Sequence, residues 1–223
     1  MPEVIESPSP NFNDRKLPVS LIILHYTGME DGSSALARMC DEDAQVSAHY
    51  MIEEDGRVFR LVDEGKRAWH AGVSSWRGES DINSASIGIE IVNGGHDLGL
   101  PDFPPVQIAA VIALVRDIMQ RYQLKSHQVI GHSDIAPGRK IDPGERFPWG
   151  QLAEAGCALG PADLRPDGLD SEAALRAIGY GLEPGLSTVV EAFQRRFRPA
   201  NITGIIDDET EALIAGVLAA SCK

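Results

Sequence analysis

Residues Leu21–Tyr26 read LIILHY, four large aliphatic side chains in succession followed by a histidine and a tyrosine. A short, unbroken apolar run of this kind predicts a strand buried on both faces. Around it the pattern alternates. AHYMIE and RVFRLV flank Asp55-Gly56 and predict a hairpin, since this dipeptide tolerates the positive φ of a tight turn. SIGIEIVN (Ser86 to Asn93) and HQVIGH (His127 to His132) predict two further strands. Between them, Ile108, Ile112, Val115, Met119 and Tyr122 recur every three or four residues, which predicts one apolar helical face over Pro105–Tyr122. Pro105 suits a first helical turn, and Ser33 is the expected cap of a shorter helix running through Met39. Strands interleaved with helices predict an α/β fold, a mixed central β-sheet flanked by helices.

The expected boundaries follow from the breaks in this pattern. Residues 1–17, rich in Pro, Ser and Asn, read as an extended N-terminal arm, 18–155 as the α/β domain, and 156–170 as a linker. Residues 171–223 read as a small three-helix domain. Its helices are expected at Glu172 to Ile178, stopped by Gly179, then from a Ser187 cap, then from an Asp207 cap to about Ala219.

A net charge of -13 excludes a general nucleic-acid binder, which needs a cationic footprint. Cys40, Cys157 and Cys222 are odd in number and widely spaced, so they predict free buried thiols rather than a disulfide framework or a thiolate metal site. No apolar run is long enough for a membrane span. The N-terminus shows no basic segment followed by an apolar one, so the expected location is the cytoplasm; a leader missing from this sequence would make it the periplasm.

Chemistry is expected where strands give way to loops. His25 closes one strand, and His132 closes another just before GHSDIAPGRKIDPG, a loop holding Asp134, Arg139, Lys140 and Asp142. Spacing alone leaves two readings open, a metal site of His25, His132 and one of the aspartates, or ordinary turn chemistry of Asp beside Pro and Gly.

Five blocks, LHYTG, VSAHYMIEEDGRVFRLV, RAWHAG, SIGIEIVN and GHSDIAPGRKIDPG, stand in one order over most of residues 20 to 150. In this the chain resembles the type 2 N-acetylmuramoyl-L-alanine amidases, the zinc amidase superfamily that includes peptidoglycan recognition proteins. The resemblance implies hydrolysis of the amide between N-acetylmuramic acid, or its 1,6-anhydro form, and L-alanine. Peptidoglycan or soluble muropeptides are the implied partners. It implies Zn2+ as sole cofactor on His25, His132 and Asp142, a ligand set that leaves a fourth position open. Glu90 is the implied general base, Lys140 the cation that stabilises negative charge on the carbonyl, and Trp69 and His70 the implied substrate-lining residues. His49 matches a family position with a structural or supporting role. Two competing functions are a non-catalytic peptidoglycan-binding protein, which would lack one of these groups, and a zinc peptidase acting on stem peptides. LRAIGYG, VVEAFQRRFRP and TGIIDDETEALI in the tail resemble a three-helix peptidoglycan-binding module. The same apolar positions would form the core of any three-helix bundle.

Overall fold

The computed structural model describes residues 3–164 and 168–222. In chain order the strands are β1 (Val4–Glu6), β2 (Phe12–Asp14), β3 (Leu21–Tyr26), β4 (Tyr50–Ile52), β5 (Val58–Arg60), β6 (Lys66–Ala68), β7 (Ser86–Ile91) and β8 (Val129–Gly131). The helices are α1 (Gly32–Cys40), α2 (Ile82–Ala85), α3 (Pro105–Tyr122), α4 (His132–Ile135), α5 (Trp149–Glu154), α6 (Ser171–Ile178), α7 (Leu186–Phe197) and α8 (Asp208–Ser221). Six strands form one mixed sheet in the order β1-β5-β4-β7-β3-β8, and β2 pairs with β6 in a small second sheet. Only β4 and β5, the predicted hairpin, run antiparallel within the large sheet.

The two faces of β3 and β7 have different fates, because successive side chains point to opposite sides of a sheet. Ile22 and Leu24 of β3 with Ile87, Ile89 and Ile91 of β7 pack under α3 and α5, against Ile108, Val111, Val115, Trp149 and Leu152. On the other face, Leu21 and Ile23 share a core with Ile130, Ile135 and the C-terminal helices, including Leu175, Val189, Phe193 and Ile214. That alternation carries His25 and Glu90 onto the face opposite α3.

Several local expectations are corrected. Asp31, not Ser33, caps α1: its Oδ1 accepts from Ser34 N at 2.7 Å and from Ser33 Oγ at 2.7 Å, the carboxylate being the stronger acceptor. Gly185, at φ 101°, precedes α7 with no side-chain cap, and Ser187 lies inside the helix. Asp207 does cap α8, accepting from Thr210 N at 2.9 Å. β8 is shorter than expected, so His132 begins α4 rather than ending a strand. The arm is extended, but it is built into both sheets: β1 lies parallel to β5, and β2 antiparallel to β6. Arg15 anchors it, donating to the carbonyls of Glu64, Ser84, Ser86 and Lys66. Of the three thiols only Cys157 is buried; Cys40 is half-buried and Cys222 exposed. Among the described residues no helix is long and apolar enough to cross a membrane.

Candidate active site

His25 is the penultimate residue of β3 and lies beside Glu90 of β7 in the parallel register. His132 follows directly on β8, the other neighbour of β3. Three groups from distant parts of the chain thus meet at the carboxyl ends of three adjacent parallel strands, the usual place for a ligand in such sheets. Asp142 reaches the same point from the loop after α4, held by Ser133 N donating to Asp142 O at 2.9 Å.

His25 Nδ1 and His132 Nδ1 are 2.9 Å apart, and each lies 3.0 Å from Asp142 Oδ2. Hydrogen-bond partners on the far side of each ring fix where its proton sits. His132 Nε2 faces the Ala71 carbonyl at 3.1 Å, so it carries the proton and donates it. Ser86 Oγ donates to Ile82 O at 2.6 Å and so accepts from His70 Nε2, 3.3 Å away. That leaves His70 Nδ1 as the acceptor for His25 Nε2 at 3.0 Å. Both Nδ1 atoms therefore present lone pairs to each other and to a carboxylate oxygen. Three lone-pair donors at van der Waals distance repel unless a cation lies among them. A tetrahedral zinc with bonds of about 2.0–2.1 Å sets its ligand atoms about 3.3 Å apart, close to the spacing found. Among the described residues these three form a cluster able to hold a metal ion.

The electrostatics agree. Burial, reinforced by the neighbouring His132, depresses the His25 imidazole to about 4, so it is a neutral ligand at ordinary pH.

Glu90 is half-buried at the floor of a small cleft lined by Thr27, Met29, Ala35, Arg38, Met39 and Val46. Its Oε2 is enclosed and has no hydrogen-bond partner among the described residues. Burial and then the Asp142 charge push its pKa well above the carboxylate range, with Lys140 pulling it back. Lys140 itself is exposed on the loop between His132 and Asp142, and its charge is felt at both Glu90 and His25.

The two expected substrate-lining residues differ in their surroundings. His70 is buried, 7% exposed, with both ring nitrogens engaged inside the protein. It sits over Gly88, where a Cβ would come within 2.4 Å of its ring. The glycine in SIGIEIVN thus makes room for the imidazole behind His25, whose ring it holds through the 3.0 Å contact. Trp69 is half-buried against the arm, its Nε1 donating to Asn13 Oδ1 at 3.1 Å, and does not line the Glu90 cleft. His49 is structural: its Nδ1 accepts from Gly88 N at 3.0 Å.

Sequence reasoning missed the chain of contacts at the rim. Tyr26 Oη lies 3.0 Å from His96 Nδ1, and His96 Nε2 lies 3.0 Å from Glu145 Oε2. His96 and Glu145 stand in no block that drew attention; only the proximity of Tyr26 to His25 and Glu145 to Asp142 signalled them.

The N-acetylmuramoyl-L-alanine amidase family matches residues 15–145. The chain belongs to this family. The amidase is 36% identical over 230 residues to N-acetylmuramoyl-L-alanine amidase AmiD of Escherichia coli, covering 90% of this chain and 82% of AmiD. It is 32% identical to the 1,6-anhydro-N-acetylmuramyl-L-alanine amidase AmpD of Haemophilus influenzae, over 63% of this chain and 85% of AmpD. Its fold matches AmpDh3 of Pseudomonas aeruginosa with a TM-score of 0.83, 35% identity, and coverage of 92% and 93% of the two chains. It matches E. coli AmiD in complex with anhydro-N-acetylmuramic acid-L-Ala-D-gamma-Glu-L-Lys with a TM-score of 0.80, 37% identity, and coverage of 91% and 89%. The amidase hydrolyses the amide between N-acetylmuramic acid and L-alanine.

Proposed function

We propose that this amidase is a zinc enzyme that releases stem peptides from soluble muropeptides, including those ending in 1,6-anhydro-N-acetylmuramic acid. His25, His132 and Asp142 hold the metal, Glu90 is the base and Lys140 the oxyanion partner. The meeting of three proton-free donor atoms at the ends of β3 and β8 carries the metal assignment. The substrate form is supported by the anhydro-muramyl tripeptide bound to AmiD and by the 1,6-anhydro activity named for AmpD.

When bound, zinc supplies a Lewis acid at the amide carbonyl and brings the pKa of a coordinated water to about 7. Glu90 takes a proton from the attacking water and returns it to the nitrogen of the departing L-alanine. Its Oε2 has no competing donor among the described residues, so no protein group neutralises it there. Lys140, an exposed cation whose charge is felt at Glu90 and His25, stabilises the negative charge that develops on the carbonyl oxygen. Peptide and sugar leave as a free amine and a free lactyl carboxylate.

Incubating the zinc-loaded protein with a defined anhydromuropeptide and weighing the products tests the whole reading. The expected products are the intact stem peptide and the peptide-free muramyl sugar. Cleavage between amino acids would overturn it in favour of a peptidase, and binding without cleavage in favour of a recognition protein.

A further inference from the structure

The loop of residues 132–145 carries His132, Lys140 and Asp142, and one helix from the far end of the chain lies along it. Residues 188, 195 and 196 of α7 are seven and eight apart, which puts them on one helical face. That face meets the loop three times. At its start, a Cβ on Gly138 (φ +75°) would come within 2.7 Å of Thr188 Cγ2, so the loop turns directly against the helix. At its end, Arg195 Nε lies 3.5 Å from Glu145 Oε2, the carboxylate that also holds His96.

The third contact is a buried bridge. Arg196 Nη1 donates to Asp134 Oδ2 at 2.9 Å, and Tyr180 Oη donates to Asp134 Oδ1 at 2.6 Å. Gly131 N, at the junction of β8 and α4, donates to Asp134 Oδ2 at 2.9 Å. Arg196 Nη2 donates to Val129 O of β8 at 3.0 Å, and its guanidinium stacks 4.1 Å from the Trp149 ring. Asp134 is 1% exposed and Arg196 6%. A charge pair so enclosed has a fixed geometry, and Asp134 is two residues from the ligand His132. Ile135 and Ala136, the next loop residues, pack in the same cluster as Val189 and Phe193 of α7.

We infer that α7, through Arg196 with Tyr180, is a clamp that sets the geometry of the metal-binding loop, so that the C-terminal helices are part of the metal site's support. Arg196 and Tyr180 are positioning residues: neither touches a ligand atom, and both act through Asp134 on the segment that presents His132. This rests on the metal assignment proposed above and goes beyond any role of the tail in holding glycan. Shared support of this kind matters for metals, because groups that orient ligands typically change affinity 10–100-fold when removed.

The test is zinc affinity, measured by competition with a chromophoric chelator at a temperature where every protein is folded by circular dichroism. Arg196→Met is expected to weaken zinc by about tenfold or more and Tyr180→Phe by a smaller factor. Leu213→Ala, a core truncation in α8 that gives nothing to Asp134, is expected to lower the melting temperature with zinc affinity unchanged. Wild-type zinc affinity in both Tyr180→Phe and Arg196→Met would overturn the clamp while leaving the site assignment intact. Equal loss of zinc in Leu213→Ala would also overturn it, reducing the effect to general destabilisation. A wild-type chain that takes up no zinc would overturn the site assignment and the clamp together.

Discussion

Replacing Glu90 with glutamine keeps the shape of the side chain and removes its charge and its capacity to take a proton. Glu90 has one enclosed oxygen without a partner among the described residues, and burial and Asp142 raise its pKa. Two consequences of opposite sign follow. As a positioned base it contributes about 10²–10⁴ in rate, so Glu90→Gln is expected to lose turnover by that factor, about 3–5 kcal/mol of transition-state stabilisation. The same carboxylate costs stability in the metal-free protein. Its folded pKa lies above the unfolded value of about 4.3. Between the two values the native state holds more protons than the unfolded one, so stability falls as pH rises through that window. Each unit of upward displacement corresponds to about 1.4 kcal/mol. Metal-free Glu90→Gln is therefore expected to melt higher than the metal-free wild type at pH 8, with the gap closing towards pH 4. Turnover is read by mass spectrometry on an anhydromuropeptide, melting by calorimetry on chelator-treated protein, and zinc content by metal analysis. Wild-type turnover in the variant would remove Glu90 from the mechanism, and a melting difference flat with pH would refute the account of its burial.

Three further outcomes are expected. His70→Ala should weaken zinc about 10–100-fold in chelator competition; a raised KM with zinc affinity intact would restore a substrate-lining role. Lys140→Ala should lower kcat about 10²–10³-fold with little change in KM, and a change confined to KM would make it a binding residue. Acid should destabilise the fold through His49, which burial depresses to about 4. Its unfolded ring takes a proton near pH 6.5 while the native one does not, so stability is complete above that pH and is lost on descending to about 4. The loss amounts to about 3 kcal/mol, and stability unchanged across that window in denaturant titrations would refute it.

The sequence revealed the strands and the long helix because their cues are local. LIILHY is an unbroken apolar run, the α3 stripe contains its own periodicity, and Asp207 sits directly before the helix it caps. The proposed metal triad was legible in part: two histidines at strand ends suggested a site, but choosing Asp142 over Asp134 needed the family resemblance. Both are acidic residues of one loop, and spacing does not separate them. The structure does, sending Asp142 to the imidazoles and Asp134 to Arg196 and Tyr180. The contact of His70 with His25 was not legible, because its block names a neighbour of the site without saying which side of the sheet it faces. Gly88, the residue that accommodates it, is separated from it by a turn and a helix. The roles of α7 were illegible for the same reason: Arg196 and Asp134 are 62 positions apart, with no shared pattern.

The strand order has a consequence for assembly. β3 lies between β7 and β8, and its histidine meets His132 and Asp142 through contacts 107 and 117 residues away along the chain. Such long-range closures come late, after their entropy has been met by the rest of the sheet. An unfolded or half-formed chain offers the metal scattered imidazoles and no fixed triangle. At the proposed metal site, ion uptake would therefore register completion of the sheet, and a bound ion would stabilise the finished fold over every earlier state by mass action.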